Sequence, residues 1–336
     1  MRKKIALVGA GNIGGMLALL AGLKELGDIT LIDVVEGLPQ GKGLDLNQVG
    51  PIARFNACIQ GTNNMKEGLK DAEVIVITAG LARKPGMSRE DLLNTNTRII
   101  KEIAYQIREY APEAFVVVVT NPLDAMVWVF QKASGLPPHR VVGMAGTLDS
   151  ARFRSFLAQE LNVAVQDVSA MILGSHGDTM VPLLRHSSVG GINLEKLIYR
   201  GGISEERLNT IVERTRQGGS EIVAHLKTGS AFFAPAAAAI EIVESYLKDQ
   251  KRILPCAAYL KGEYGVTGLY IGVPVIIGRE GVEEVVELVL TEEEQAAFVK
   301  SIEAVQSLVE KVKEERHEAK EMKRASPSDQ TKHLTM

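Results

Sequence analysis

His176 has the clearest chemical setting in this 336-residue chain. It stands in Gly174-Ser175-His176-Gly177-Asp178, directly after the apolar stretch Val168 to Leu173. A histidine between glycines is poorly placed for core packing and well placed to let another molecule approach, and imidazole changes charge near neutral pH. The other histidines, His139, His186, His225, His317 and His333, have no such setting. Metal binding is not expected at His176, because no second histidine or cysteine stands at a ligand spacing. A second candidate is the segment Thr78 to Asp91, T-A-G-L-A-R-K-P-G-M-S-R-E-D, which gathers Arg83, Lys84 and Arg89 around Pro85-Gly86. Pro fixes one backbone angle and Gly frees the next, which suits a stiff arm on a hinge. Arginines on such an arm point to an anionic substrate held by bidentate contacts, against the plain alternative of a solvated basic loop. Asp149 and Arg152, three apart, share a helix face and taken alone read as a surface ion pair. Asn121, in Thr120-Asn121-Pro122-Leu123-Asp124, offers a donor and an acceptor. Asn followed by Pro is also how helices commonly begin, so two readings stand side by side there.

The elements that must position these groups read as alternating strands and helices. Ile5 to Val8 is a short buried strand, followed at once by Gly9-Ala10-Gly11-Asn12-Ile13-Gly14 and a Leu- and Ala-rich helix from Gly15 to Leu26. That is G-x-G-x-x-G in the strand-turn-helix context of a dinucleotide site. Gly9 allows the tight turn, Gly11 lets backbone approach a pyrophosphate, and Gly14 permits close helix–strand packing; the helix N-terminus then faces the phosphates. Asp33 ends the second strand, Ile29 to Ile32, nineteen positions after Gly14. A carboxylate there accepts from the ribose hydroxyls and repels a 2′-phosphate, which favours NAD over NADP. Gly37-Leu38-Pro39-Gln40-Gly41-Lys42-Gly43 resembles a P-loop but is one residue short and lacks the Ser or Thr for Mg²⁺, so that reading is rejected. Further strands are expected near Cys58 to Gln60, at Val74 to Ile77, at Phe115 to Val119 and at Val141 to Gly143, with a helix over Leu92 to Tyr110.

Six strands in two β-α-β-α-β halves predict an α/β fold: a Rossmann doubly wound parallel sheet over residues 1–144, then an α+β substrate domain over 145–312. In the second part, helices are expected over Ser204 to Lys227, bent at Gly218-Gly219, and over Ala231 to Lys248, where the run Ala234 to Ala239 implies close packing. Strands follow at roughly Ile253 to Ile277. A last helix opens at Thr291 with Glu294 completing a capping box, and its apolar stripe is Phe298, Ile302, Val305, Leu308, Val309 and Val312. From Lys313 to Arg324 the stripe gives way to mixed charge on a helix expected to run into solvent, and Ser326 to Met336 should be disordered, which sets 313–336 apart.

Hydrophobic residues at 46% can fill sizeable cores, and a net charge of −3 gives no reason to expect nucleic acid or a membrane as partner. The two cysteines form no C-x-x-C pair, and the first strand begins almost at Met1, so a cytoplasmic protein without a signal peptide is expected.

With these residues assembled, the chain resembles the malate dehydrogenases of the branch built like lactate dehydrogenase. The resemblance runs from about Lys4 to Val312 and rests on five ordered segments: G-A-G-N-I-G, A-R-K-P-G-M-S-R-E-D-L-L, V-T-N-P-L-D, L-D-S-A-R-F and G-S-H-G-D. It implies an NAD-dependent oxidoreductase that interconverts malate and oxaloacetate. By this likeness His176 is the proton donor and acceptor, Asp149 orients its ring, and Arg152 clamps the substrate's C1 carboxylate. Arg89 polarises the reacting carbonyl, Arg83 reads a second carboxylate, Asn121 contacts substrate, and Ser230 lines the pocket. Gly9, Gly11, Asn12, Ile13, Gly14, Asp33, Asn96, Val119 and Asn121 are implied at the cofactor. Ser175 departs from the Gly or Glu that relatives often carry. The likeness also implies a homo-dimer or homo-tetramer. A lactate or other 2-hydroxyacid dehydrogenase is the alternative enzyme, and an NAD-binding interaction protein the alternative outside enzymes.

Overall fold

A computed structural model describes residues 2–81 and 88–325, apart from the side chains of Arg89 and of residues beyond 314. Arg83 and the tail from Ser326 to Met336 therefore lie outside the described residues. The first half runs β1 (Lys4–Val8), α1 (Asn12–Leu23), β2 (Asp28–Ile32), α2 (Leu38–Ala53), β3 (Ile59–Thr62), α3 (Met65–Leu69), β4 (Val74–Ile77), α4 (Arg89–Tyr110), β5 (Phe115–Val118), α5 (Leu123–Ser134) and β6 (Val141–Gly143). These strands form a parallel sheet in the order β3-β2-β1-β4-β5-β6, the doubly wound arrangement. Helices cover both faces of such a sheet, which is why β4 (VIVI) and β5 (FVVV) are apolar at every position and wholly buried.

The second half begins with α6 (Gly146–Leu161) and short strands β7 (Val168–Ser169), β8 (Ile172–Leu173), β9 (Val181–Pro182), β10 (Ser188–Val189) and β11 (Ile192–Asn193). It continues through α7 (Leu194–Tyr199), α8 (Glu205–Leu226), α9 (Phe233–Leu247), β12 (Arg252–Lys261), β13 (Thr267–Gly278), β14 (Gly281–Val285) and α10 (Glu292–Ala325). Strands β12 to β14 do not make a sheet of their own. They add antiparallel to the edge of β6, with Ala257 opposite Gly143, and extend one sheet to nine strands. The alanine-rich α9 packs on α1 of the first half.

Several expectations shift in detail. The stretch expected as one strand from Val168 to Leu173 divides into β7 and β8, which pair in different small sheets. The P-loop-like segment is the entrance to α2, with Pro39 in its first turn, and Gly43 lets that helix lie against β3: an added Cβ would stand 3.1 Å from Gly61 N. Asn121 does not cap a helix. Pro122 takes that position, Leu123 is the first helical residue, and the Asn121–Pro122 peptide is cis. The capping box of α10 forms as expected, with Thr291 Oγ1 accepting from Glu294 N at 3.2 Å and Glu294 Oε2 accepting from Thr291 N at 2.8 Å. Among the described residues no helix is long and apolar enough to cross a membrane.

Candidate active site

The turn between β1 and α1 is built from close approaches. Gly9 sits at φ +107°, and a Cβ on it would stand 2.6 Å from Thr78 Oγ1. A Cβ on Gly14 would stand 1.9 Å from Gly9 O, so only glycine fits where the helix crosses the turn. Gly11 is the opposite case, with no atom within 4 Å of an added Cβ. Gly11 is also the N-cap of α1 and supplies no side-chain acceptor to the free N–H groups of the first turn. An anion such as a pyrophosphate can take that place. Asp33 is fixed at the end of β2: Oδ2 accepts from Ala10 N at 2.7 Å and Oδ1 from Val35 N at 3.0 Å. Lys42, which the rejected P-loop reading left without a role, donates from Nζ to Gly11 O at 2.8 Å and sets a positive charge beside the cradle. These residues fit a dinucleotide.

Across the sheet, three elements converge on His176. Gly174, at φ +86°, exchanges backbone hydrogen bonds with Gly272 of β13 and turns the chain out of β8. His176 N then donates to Asp124 Oδ2 of α5 at 2.9 Å, while its Nδ1 lies 2.8 Å from Asp149 Oδ2 of α6. A carboxylate can only accept, so Nδ1 carries the hydrogen and Nε2 is the nitrogen whose proton can come and go. Asp149 is shared, because Oδ1 accepts from Arg152 at 3.2 Å. Burial is the largest single influence on the ring and opposes its charge. The Asp149 charge, its hydrogen bond and the Asp124 charge together outweigh burial and Arg152, so the pKa of His176 is raised. Burial also pushes the Asp124 carboxyl up to about 6, and its Oδ1 has no partner among the described residues.

His176 and Arg152 line a cavity of about 300 Å³ together with Ile13, Val119, Asn121 and Ser230. The sequence spreads these residues over 217 positions; the fold brings them to one hollow between the cradle and α8. Gly218 of α8 explains part of this: a Cβ there would stand 3.0 Å from Arg152 Cδ, so the glycine gives the arginine its lane. Arg152 Nε is buried with no protein partner among the described residues, as expected of a group that waits for an anion.

Asn96, implied at the cofactor by the resemblance, lies buried beside Asn121. It is 1% exposed, and its amide accepts from Leu81 N at 2.7 Å and donates to Asn121 O at 2.7 Å. In this arrangement it holds Asn121 and the first end of the arginine segment. The other end is held by Ser88, whose Oγ accepts from Asp91 N at 3.0 Å while Asp91 Oδ2 accepts from Ser88 N. Arg89 follows as the first residue of α4, and Arg83 falls on the undescribed stretch between. Sequence reasoning missed Asp124, Lys42 and Arg216, a second arginine on the cavity with a buried Nε. The S-x-x-D box at Ser88 was readable by rule. The other three carry no local signal.

Residues 3–143 match the lactate/malate dehydrogenase NAD binding domain, and residues 146–316 match the lactate/malate dehydrogenase alpha/beta C-terminal domain. Among solved structures, the malate dehydrogenase of Cryptosporidium parvum is 48% identical, covering 94% of this chain and 100% of that one with a TM-score of 0.91. The lactate dehydrogenase of the same organism, complexed with lactic acid and nicotinamide adenine dinucleotide, is 45% identical over 92% of this chain and 98% of its own, at a TM-score of 0.89. The Plasmodium falciparum malate dehydrogenase in complex with NADH is 43% identical, over 92% and 98%, at 0.87. The fold, the dinucleotide cradle and both halves of the match together place this chain in the lactate/malate dehydrogenase family, as an oxidoreductase that uses NAD.

Proposed function

We propose that the chain is a malate dehydrogenase, acting reversibly between malate and oxaloacetate, with residues 1–144 holding NAD and 145–312 supplying the substrate side. Bound in the cradle, NADH would supply the hydride for the keto carbon. The chain's own residues manage charge and protons. Arg152 pairs with the substrate's C1 carboxylate in the lane opened by Gly218. His176, as imidazolium, donates from Nε2 to the carbonyl oxygen as charge develops there, and Asp149 supports the charged ring. Arg89, arriving at the start of α4, stabilises the same oxygen. Asn121 and Ser230 complete the pocket walls. In the oxidative direction neutral His176 takes the hydroxyl proton. Gly9, Gly11, Asn12, Ile13, Gly14, Asp33, Asn96, Val119 and Asn121 hold the cofactor, and Asn96 also fixes Asn121 through its backbone oxygen. A cytoplasmic homo-dimer or homo-tetramer is part of the same reading.

The observation that carries malate over lactate is Arg83 itself, a cation on the arm expected to cover the substrate. Oxaloacetate differs from pyruvate by one carboxylate, and an arginine shut in a closed pocket with no counter-charge costs several kcal/mol. The Cryptosporidium lactate dehydrogenase, nearly as similar as the malate enzyme, keeps lactate as the second reading. NADH oxidation with oxaloacetate and pyruvate in parallel separates them. The expected preference for oxaloacetate in kcat/KM is roughly 10⁴-fold or more. Arg83→Gln should lower oxaloacetate use and raise pyruvate use, whereas Lys84→Gln should leave the ratio alone. Faster turnover of pyruvate by the unmodified enzyme would remove the malate reading.

A further inference from the structure

Outside the active site, a cleft of about 420 Å³ opens between the C-terminal halves of α4 and α5 and the middle of α10. Cations Lys101, Arg108, Lys132 and Lys313 line it with the aromatic rings of Tyr105 and Trp128, and among the described residues no carboxylate does. Lys132 Nζ lies 5.9 Å from the Trp128 ring centroid and Lys313 Nζ 5.5 Å from it, so two ammonium groups from different helices share one indole. Arg108 stands 5.5 Å from the Tyr105 ring. Trp128 is held in orientation by Nε1 donating to Gly268 O at 3.1 Å. Among the described residues Arg108, Lys132 and Lys313 have no carboxylate partner, although the chain as a whole carries a net charge of −3. Ring faces only partly offset the repulsion among gathered cations, and concave low-dielectric walls focus their field outward.

We propose that this cleft is a second anion site, one that takes a polyphosphate chain such as that of a nucleoside triphosphate. A single phosphate could satisfy one cation, but Arg108, Lys132 and Lys313 project from three helices, and a chain of phosphates can meet all three. The volume is that of a small-molecule site. Tyr105, half exposed, offers a face on which a base can stack. The site is separate from the catalytic hollow: Lys132 follows Asp124 by eight residues, about 12 Å along α5.

Trp128 is the chain's one tryptophan, so its emission reports on this cleft. Inorganic triphosphate and ATP are each titrated into the full-length protein at constant ionic strength set with sodium chloride. Emission should change along a saturating curve with a midpoint below about 1 mM. In the Lys132→Gln/Lys313→Gln double variant the midpoint should rise by about ten-fold or more, with NADH affinity unchanged. Because those lysines flank the indole, calorimetry of the same titration supplies a second readout. Equal affinity for both ligands assigns recognition to the phosphates, and tighter ATP adds the base on Tyr105; either upholds the site. A response that follows sodium chloride alone, wild-type binding by the double variant, or displacement of triphosphate by NADH would overturn it.

Discussion

At the scale of single residues, the site turns on two carboxylates that treat His176 differently. Asp149 meets the ring itself, while Asp124 meets the backbone N–H behind it. Both favour the imidazolium against a burial that opposes it. On the proposed malate reading, oxaloacetate reduction needs the charged ring, so it should fall as pH rises through the raised pKa, and malate oxidation should show the reverse trend. Asp149→Asn leaves burial in control, so the reductive decline should move to lower pH; pH profiles of kcat/KM for wild type and variant check this, and coincident profiles would refute the pairing. Asp124→Asn should move the same decline downward by less, because it removes a weaker, more distant charge. Its stability signature has a definite sign. The Asp124 carboxyl titrates at about 6 in the fold, above its ordinary value near 3.9, so the stability its proton contributes is present below that ordinary value and lost as pH rises through about 6. Between pH 5 and 7 the melting temperature of wild type should therefore fall relative to Asp124→Asn, by on the order of 2 °C. Melting curves at both pH values test it, and a difference independent of pH would argue against a buried titrating carboxyl.

At the scale of elements, α8 separates stability from binding at one position. Gly218 costs helix stability, which alanine would recover by roughly 0.5–1 kcal/mol. The alanine Cβ would press on Arg152 at 3.0 Å and push the guanidinium off its lane. Gly218→Ala should therefore raise the KM for oxaloacetate by about ten-fold while the protein melts no lower and binds NADH as before. A variant with unchanged KM would mean that Arg152 finds its place without that glycine. The same logic explains why α4 and α5 begin where they do. Ser88 and Asp91 fix the start of α4 beside the arginine segment, and Asn96 ties that segment's other end to Asn121 ahead of α5.

At the scale of the whole molecule, the sheet does not stop at the expected division near residue 144. β12 pairs with β6, and one buried cluster includes Ile5, Val76, Ile240, Val273 and Val309, drawn from both halves. Separating the halves would expose the edge of β6 and the face of α1 that α9 covers. Urea unfolding should accordingly show one transition, with fluorescence of Trp128 and far-UV circular dichroism coinciding. Two separated transitions would show that the halves hold together by less than this shared core implies. A chain ending at residue 144 is expected to aggregate.

Local rules decided much of this protein. The dinucleotide turn, Asp33, the buried strands and the capping box at Thr291 follow from residue types at short spacing, because each depends on backbone geometry within a few residues. The setting of His176 between glycines was legible for the same reason. Pairing His176 with Asp149 and Arg152 required the family resemblance, since the residues alone read as a surface ion pair. The tertiary structure alone decided that Asp124 reaches His176 N from 52 positions away, that Asn96 turns inward, that Lys42 folds onto Gly11, and that β12 completes the sheet of the first half. Those contacts join segments far apart in the chain, and a carboxylate or lysine that will be buried or bound carries no local mark of it; its partner is chosen by how helices and strands pack.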